Sequence, residues 1–339
     1  LAWKAQNAAH NNDFKQSFKI TRSLGQFKHR VIPTIALKNG ELVSNELDRK
    51  KRWQEHFSDL FNGSITTLSS SLATRSQCIN DIVTKCEIKP SFKQVSRSVD
   101  ALSNGKAVGQ DDLASEVLRA GGFQSRHLLY KLYTLIFEFM LVPISLKGGR
   151  IVDLYKGKGS TTACGSSRGL LIMNHIAKPL SKILKSNVAP IYHDKMPEQQ
   201  HGCVAGKACD LANHVIRAVL EKAKVLNRSV AVLFLDLEKA FDRVIREYIL
   251  GLPQGLDPTI TVGQYLASIG VSGIALEHAT SYIERHGPVF DKWGVDVGAI
   301  ELLKSIHSNA FYQYADLDTI ILAPKGGRQG CTFGAIMFN

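Results

Sequence analysis

"VAVLFLDLEKAFDR", residues 230–243, places an unbroken apolar run, Val230 to Leu235, directly before an acid, Asp236, with another acid, Asp242, further on. A run of this length without polar alternation suits a central strand covered on both faces. An acid at the C-terminal end of such a strand is unfavourable in apolar surroundings unless it is paired, hydrated or coordinating a cation. Taken alone, the stretch leaves two readings open. Asp236 caps the helix that "LEKAFDRVIREYIL" predicts, or it is one acid of a reactive site. Asp242 falls within that helix and reads as solvated, four residues before Arg246, which offers it an ordinary exposed ion pair.

With 339 residues, 44% of them hydrophobic and 21% charged, the chain has the composition of a globular protein with two or more lobes. No apolar run reaches membrane-span length; the best, near Leu128 to Val142, is broken by Lys131, Tyr133 and Glu138. The start at Leu1 and the finish inside "GAIMFN" read as a fragment of a longer chain. Forty-two Lys and Arg against 30 Asp and Glu give a net charge of +12, a positive field that attracts polyanions, nucleic acid above all. Six scattered cysteines without a CxxC pair argue for reduced thiols rather than a disulfide scaffold. The group His201, Cys203, Cys209 and His214 matches no standard zinc spacing.

Along the chain, "SNELDRKKRWQEHFSDLFNG" predicts a helix with Trp53, Phe57, Leu60 and Phe61 on one stripe, Ser44 as its cap and Asn62-Gly63 as its stop. The Ser/Thr-rich stretch from Ser64 to Ser76 reads as a linker. Further helices are predicted from Ser91 to Asn104-Gly105, over Arg126 to Met140, near Asn174 to Val188, near Lys207 to Leu226, over Ser272 to Arg285 and over Val297 to Ser308. Strands are expected at Arg150 to Tyr155 and Val230 to Leu235, with a hairpin at Ala310 to Leu322 and a final glycine turn feeding a helix. Helices dominate the first half and mixed elements the second, so the class is α+β.

Context then favours the reactive reading. "FLDLEKAFD" fits F-x-D-x-x-x-A-F-D and resembles motif A of the reverse transcriptases of non-LTR, LINE-type retrotransposons. "LSNGKAVGQDDLASEVLRAGG" is similar to that family's G-K-A-P-G-P-D-G segment, and "RIVDLYKGKGSTTACGSSRGLLI" to its basic fingers stretch. "EQQHGCVAGKACDLANHVI" resembles its Q-x-G-F-x-x-G-R-S-T helix start, and "GGRQGCTFGAIMFN" its motif B. The matches fall in the family's order over Lys89 to Asn339, and the helix around Trp53 resembles the stretch that joins endonuclease to polymerase. Group II intron maturases share the palm, but that helix and "FDRVIRE" resemble the LINE type.

The resemblance implies a polymerase right-hand fold: helix-rich fingers plus a partial palm with a ferredoxin-like β-α-β-β-α-β core, and no thumb. It divides the chain into an N-terminal helical extension (1–85), fingers (86–228) and a partial palm with motifs A and B (229–339). It implies RNA-directed DNA polymerase activity in a full-length parent, with an RNA template, a DNA primer or target, and dNTPs as partners, in a nuclear or cytoplasmic ribonucleoprotein. Two Mg²⁺ ions (Mn²⁺ as the alternative) would be held in part by the catalytic Asp236 and the backbone carbonyl of Leu237. Phe241 would lie beneath the sugar and exclude a ribose 2′-hydroxyl. Lys156, Lys158 and Arg168 would reach the triphosphate from the fingers, and Arg328, Gln329 and Gly330 would pack against the incoming nucleotide. Asp242 is left a supporting role.

Several features depart from the family pattern. Val108 and Gln110 stand where it has prolines, Thr332 to Ala335 where it has a Ser-Pro turn, and Ser167 and Gly169 flank Arg168 where an aromatic and a proline are usual. Tyr314-Ala315-Asp316 imitates motif C but precedes motif B, and Leu317 replaces its second acid, so Asp316 is expected to be a turn residue. Motif C is expected beyond Asn339, which would leave this chain itself inactive. "GKGS" lacks the spacing of a phosphate-binding P-loop. The alternative function is a catalytically dead, nucleic-acid-binding remnant of a degenerate element.

Overall fold

The computed structural model describes residues 2–11, 13, 16, 34–67, 87–202, 204, 206–237, 239–253, 255–328 and 331–338. Its centre is a mixed five-stranded sheet. In chain order the strands are β1 (Ile35–Ala36) and β2 (Leu42–Val43), which form a separate antiparallel pair, then β3 (Ser64–Thr67), β4 (Gly149–Tyr155), β5 (Ser167–Met173), β6 (Ala310–Tyr314) and β7 (Thr319–Ala323). The main sheet runs β3-β7-β6-β4-β5, antiparallel throughout except where β4 meets β6 in parallel, from Gly149↔Tyr312 to Ile151↔Tyr314. Mixed strands and packed helices agree with the α+β class.

The helix predicted around Trp53 is α2 (Glu46–Phe61), after α1 (Ala2–His10). Asn45, not Ser44, caps it: the Asn45 side chain accepts from the N–H groups of Leu47 (2.8 Å) and Asp48 (3.4 Å). Asn62, at φ 52°, turns the chain out at the other end. The buried stripe of α2 lies on the sheet as a run of rings. Trp53 stacks on Phe57 (5.6 Å between centroids) and on Tyr314 (6.1 Å), and Phe61 stacks on Tyr312 (4.4 Å). Gly169 of β5 fits beneath Phe57, where a Cβ would lie 2.7 Å from the ring. The family's proline has no room at this position, which accounts for one departure.

Around this layer pack α3 (Phe92–Asp100), α4 (Ser115–Ala120), α5 (Gly122–Phe139) and α6 (Ala177–Lys195). Ser91 and Gln94 make a reciprocal capping box at the start of α3. Tyr133 of α5, fully buried, donates to the carbonyl of Ile176 at 2.6 Å and so ties α5 to the start of α6. In the second half come α7 (Cys209–Val225), α8 (Arg246–Leu250), α9 (Val262–Ser268), α10 (Gly273–His286), α11 (Val289–Lys292), α12 (Val297–His307) and α13 (Gly334–Phe338). α12 is the most deeply buried of these, through Ile300, Leu302, Leu303 and Ile306. A satellite core of Leu266, Ile269, Val271, Ala279 and Ile283 joins α9 to α10.

The structure corrects several expectations. Ser64 to Thr67 is not a linker but the edge strand β3, paired from Ser64↔Leu322 to Thr67↔Thr319; β-branched Ile65, Thr66 and Thr67 suit a pleated edge. Val230 to Leu235 is not a strand. It pairs with no described residue, and Leu233, Phe234 and Leu235 are more than 80% exposed, at 81%, 81% and 83%. An apolar run records that a segment suits burial on both faces but does not supply a neighbour; here the flanks of β6 are already taken by β7 and β4. The helix expected behind it is reduced to a 3₁₀ turn, Phe241–Arg243, and the short α8. α7 forms where predicted yet buries none of its residues. Phe57→Ala should remove the centre of the ring stack, costing about 3–5 kcal/mol of stability in a denaturant titration.

Candidate functional site

The segments around Phe241 and Gly327 meet at the 3₁₀ turn, Phe241–Arg243. The N–H of Asp242 donates to Lys239 O (3.0 Å), closing the turn, with Lys239 at φ 53°. On to it folds the loop after β7: Gly327 N–H donates to Phe241 O at 2.6 Å and Gly326 N–H to Val244 O at 2.9 Å. Gly326 adopts φ 88°, and a Cβ there would lie 2.7 Å from Asp242 O, so two separate constraints demand glycine. Phe241 stacks on Phe338 of α13 at 4.7 Å between centroids and keeps 36% of its surface exposed. Asp242, expected to be solvated, is buried to 7% exposure at this junction.

Two buried arginines hold the junction from below. Arg246 of α8 donates from Nε to Gly326 O (2.6 Å), from Nη1 to His307 O (2.6 Å) and from Nη2 to Lys325 O (2.9 Å). Arg328 donates to Ile306 O (3.3 Å), to Leu146 O (3.1 Å) and to the Met173 sulfur (3.0 Å). Ile306 and His307 end α12, so both guanidiniums satisfy carbonyls that a helix C-terminus leaves without intrahelical partners, at the negative end of its dipole. Arg246 was read as the exposed partner of Asp242; it is 5% exposed and engaged with backbone. Arg328, expected in the turn against which the incoming nucleotide packs, is 1% exposed and bonded to backbone carbonyls and the Met173 sulfur. The physical reason is the same for both: carbonyls with no internal partner inside a low-dielectric core attract the planar, five-donor side chain. Burial lowers the Arg246 pKa, and burial with the Arg328 and Arg246 charges drives His307 well below the ordinary histidine range. Neutral His307 donates from Nδ1 to Leu303 O at 2.9 Å.

At one edge of the sheet β4 and β5 pair antiparallel as a hairpin. Leu154 pairs with Arg168 and Tyr155 with Ser167, so Lys156, Lys158 and Arg168 come together, all exposed, around its tip. The tip is shaped by Gly157 at φ 77° and tied by Lys156, whose N–H donates to Ser166 O and whose ammonium donates to Gly165 O (2.8 Å). His56 of α2 senses both halves of the region. Burial first, then the charges of Arg52 and Lys239 and more weakly Lys156, hold its pKa down at about 4. Lys156 of this tip and Lys239 of the 3₁₀ turn thus act on the same histidine.

Asp236 is exposed in a segment without helix or strand, with Leu237 68% exposed beside it. Gln329 and Gly330 lie outside the described residues, as does Cys203 of the considered zinc group. Among the described residues no three His, Cys, Asp or Glu side chains are placed to hold a metal ion. One carboxylate and one carbonyl do not make a site for a hard dication, which takes six or more oxygen ligands. The donor set described here therefore does not fit the two Mg²⁺ ions that the resemblance implies. Asp316 is the β6–β7 turn residue anticipated, ion-paired with Lys50 at 2.6 Å. Sequence reasoning missed Arg246 and His56; the signal for Arg246 was a lone cation among Val244, Ile245, Ile249 and Leu250.

No known family's profile matches the chain. It is similar to three transposon proteins. It is 21% identical over 250 residues (71% of this chain, 27% of the relative) to the "Probable RNA-directed DNA polymerase from transposon BS" of Drosophila melanogaster. It is 22% identical over 253 residues (71% and 27%) to the Retrovirus-related Pol polyprotein from type-1 retrotransposable element R2 of Bradysia coprophila. It is 26% identical over 174 residues (50% and 13%) to the Transposon TX1 uncharacterized 149 kDa protein of Xenopus laevis. These low-identity relatives support a reverse-transcriptase-like domain. The chain spans about a quarter or less of the length of these relatives. Among the described residues, no helix is long and apolar enough to cross a membrane.

Arg246→Met should leave three carbonyls without donors. The expected loss is about 3 kcal/mol or more of stability, with faster amide exchange at Gly326 and Gly327 than at the β4–β5 pairs. His56 titrates near 6.5 when unfolded and near 4 when folded. The unfolded chain therefore binds the proton first, so the contribution of His56 is complete above pH 6.5 and is lost as pH falls towards 4. His56→Gln should flatten stability across that window when measured by denaturation at a series of pH values.

Proposed function

We propose that the chain is the fingers and part of the palm of an RNA-directed DNA polymerase of the non-LTR retrotransposon type. The observation that carries this reading is the junction of Phe241 with Gly327 and Phe338, which sets the expected sugar-facing ring against the motif B turn. The tip cations Lys156, Lys158 and Arg168 would bind phosphates, and the net charge of +12 would hold an RNA template with its DNA primer. Phe241, with its exposed face, would select deoxynucleotides by leaving no room for a 2′-hydroxyl. Asp236 would act as the motif A acid, and Asp242 would support the turn from within. In the complete polymerase Mg²⁺ would supply positive charge to the reacting oxygens.

One observation favours the second reading, a nucleic-acid-binding remnant without catalysis: Asp236 is exposed and, among the described residues, is not grouped with other acids to hold a metal ion. Two measurements separate the readings. Hybrid RNA–DNA binding by the chain should weaken steeply with salt. Lys156→Ala, Lys158→Ala and Arg168→Ala combined should reduce the slope of log K against log salt by about 2–3, as three lost phosphate contacts require. In a full-length parent, templated dNTP incorporation that Asp236→Ala abolishes, with Phe241→Ala admitting ribonucleotides, establishes the polymerase. Salt-sensitive hybrid binding by that parent without incorporation establishes the remnant.

A further inference from the structure

The solvent face of α6 carries a row of lysines. Lys178, Lys182 and Lys185 recur at spacings of four and three, which keeps them within about 60° of one another around the helix. The opposite side is buried through Leu180, Ile183, Leu184 and Val188. Lys182 is exposed, and Lys178 and Lys185 are half-buried.

The loop before α4 brings a fourth cation to the head of this row. Gln110 N–H donates to Asn174 Oδ1 at 2.8 Å, and Gly109 packs so closely that a Cβ would lie 2.7 Å from Asn174 Cα. The Asn174 amide in turn donates to Ser145 O at 3.1 Å, so the loop is fixed beside the start of α6. Exposed Lys106 is thereby held near Lys178; burial and this like charge both lower the Lys178 pKa. No acid balances the group. The Lys178 ammonium donates to an uncharged partner, His175 Nδ1, at 3.2 Å. Glu116 accepts instead from Gly105 N–H (2.6 Å) and the Ser115 hydroxyl (3.1 Å), and Asp111 from Leu113 N–H (3.2 Å). Among the described residues none of the four lysines is ion-paired.

Like charges gathered in this way repel, and a multivalent anion relieves the repulsion while releasing its own counterions. Lys178 to Lys185 span about 10 Å of helix axis, a length over which one strand of a duplex presents about three phosphates. A linear row at that density suits a polymer of phosphates better than one small anion, and ammonium groups serve phosphates as point charges.

We propose that Lys106, Lys178, Lys182 and Lys185 bind the phosphate backbone of a nucleic-acid duplex at a second place, distinct from the β4–β5 tip. β5 carries the chain about 17 Å from Arg168 to Met173 before α6 begins, so the row starts from the other end of that strand. This inference rests on the nucleic-acid-binding part of the proposed function and is independent of catalysis.

The test is binding of an RNA–DNA hybrid to the 339-residue chain over a salt series. Lys106→Gln, Lys182→Gln and Lys185→Gln combined, which spare the contact of Lys178 with His175, should reduce the slope of log K against log salt by about 2–3. Lys51→Gln, Lys131→Gln and Lys292→Gln combined remove the same charge from exposed positions on α2, α5 and α11, and should leave the slope unchanged. An unchanged slope in the first variant, or an equal reduction in the second, overturns the row as a contact and leaves the nucleic-acid reading in place. Polyglutamate of matched charge bound as tightly as the hybrid, and weakened equally by the first variant, overturns the duplex as the partner and points to an acidic protein. Absence of salt-sensitive hybrid binding by the unaltered chain overturns the row and that reading together.

Discussion

The guanidinium of Arg246 is the constraint on which the second half depends. It reaches at once the end of α12, through His307 O, and the loop after β7, through the carbonyls of Lys325 and Gly326. Each of those carbonyls would otherwise be buried without a partner, and a charged donor is worth more to such a group than a neutral one. With that loop held, Gly327 can meet Phe241, and Phe338 can close on its ring. Arg328 repeats the device from the loop itself, on Ile306 and Leu146. Two like charges near a neutral histidine are tolerated because the helix C-terminus between them presents negative ends of peptide dipoles.

The first half depends on a different interaction, the ring stack of α2 on β6. Trp53, Phe57 and Phe61 bring the N-terminal segment on to strands more than two hundred residues later, and Gln54 adds a 2.7 Å bond to the Thr319 hydroxyl. The edge strand β3 follows from this, since the chain leaves α2 at Asn62 already beside β7. Through α2, Lys156 of the β4–β5 tip and Lys239 of the 3₁₀ turn both act on His56.

Much of this was legible in the residues. Capping chemistry and 3.6-residue periodicity located α2, α3, α5, α10 and α12 to within a few positions, because those signals are local. The β6–β7 hairpin and the turn role of Asp316 were also readable, from alternation around a short polar segment. The cations Lys156, Lys158 and Arg168 were named through the family resemblance, while the register that brings Lys156 and Arg168 to the same end belongs to the tertiary structure. Burial of Arg246 and Arg328 was not legible. Charge in a sequence predicts solvent, and only the positions of unsatisfied carbonyls far along the chain reverse that expectation.

The stretch at residues 230–243 marks the division most clearly. By itself the sequence determined that the family resemblance lies in this stretch and that a glycine turn feeds a helix near Phe338; those are matters of local residue chemistry and of spacing. The tertiary structure alone decided that Val230 to Leu235 lies outside the sheet, that Asp236 is exposed, and that Asp242 is buried at the junction. A strand is completed only by partners on both sides, and whether an acid meets other acids depends on which segments the sheet has already brought together. Neither is a property of the run of residues that displays the pattern.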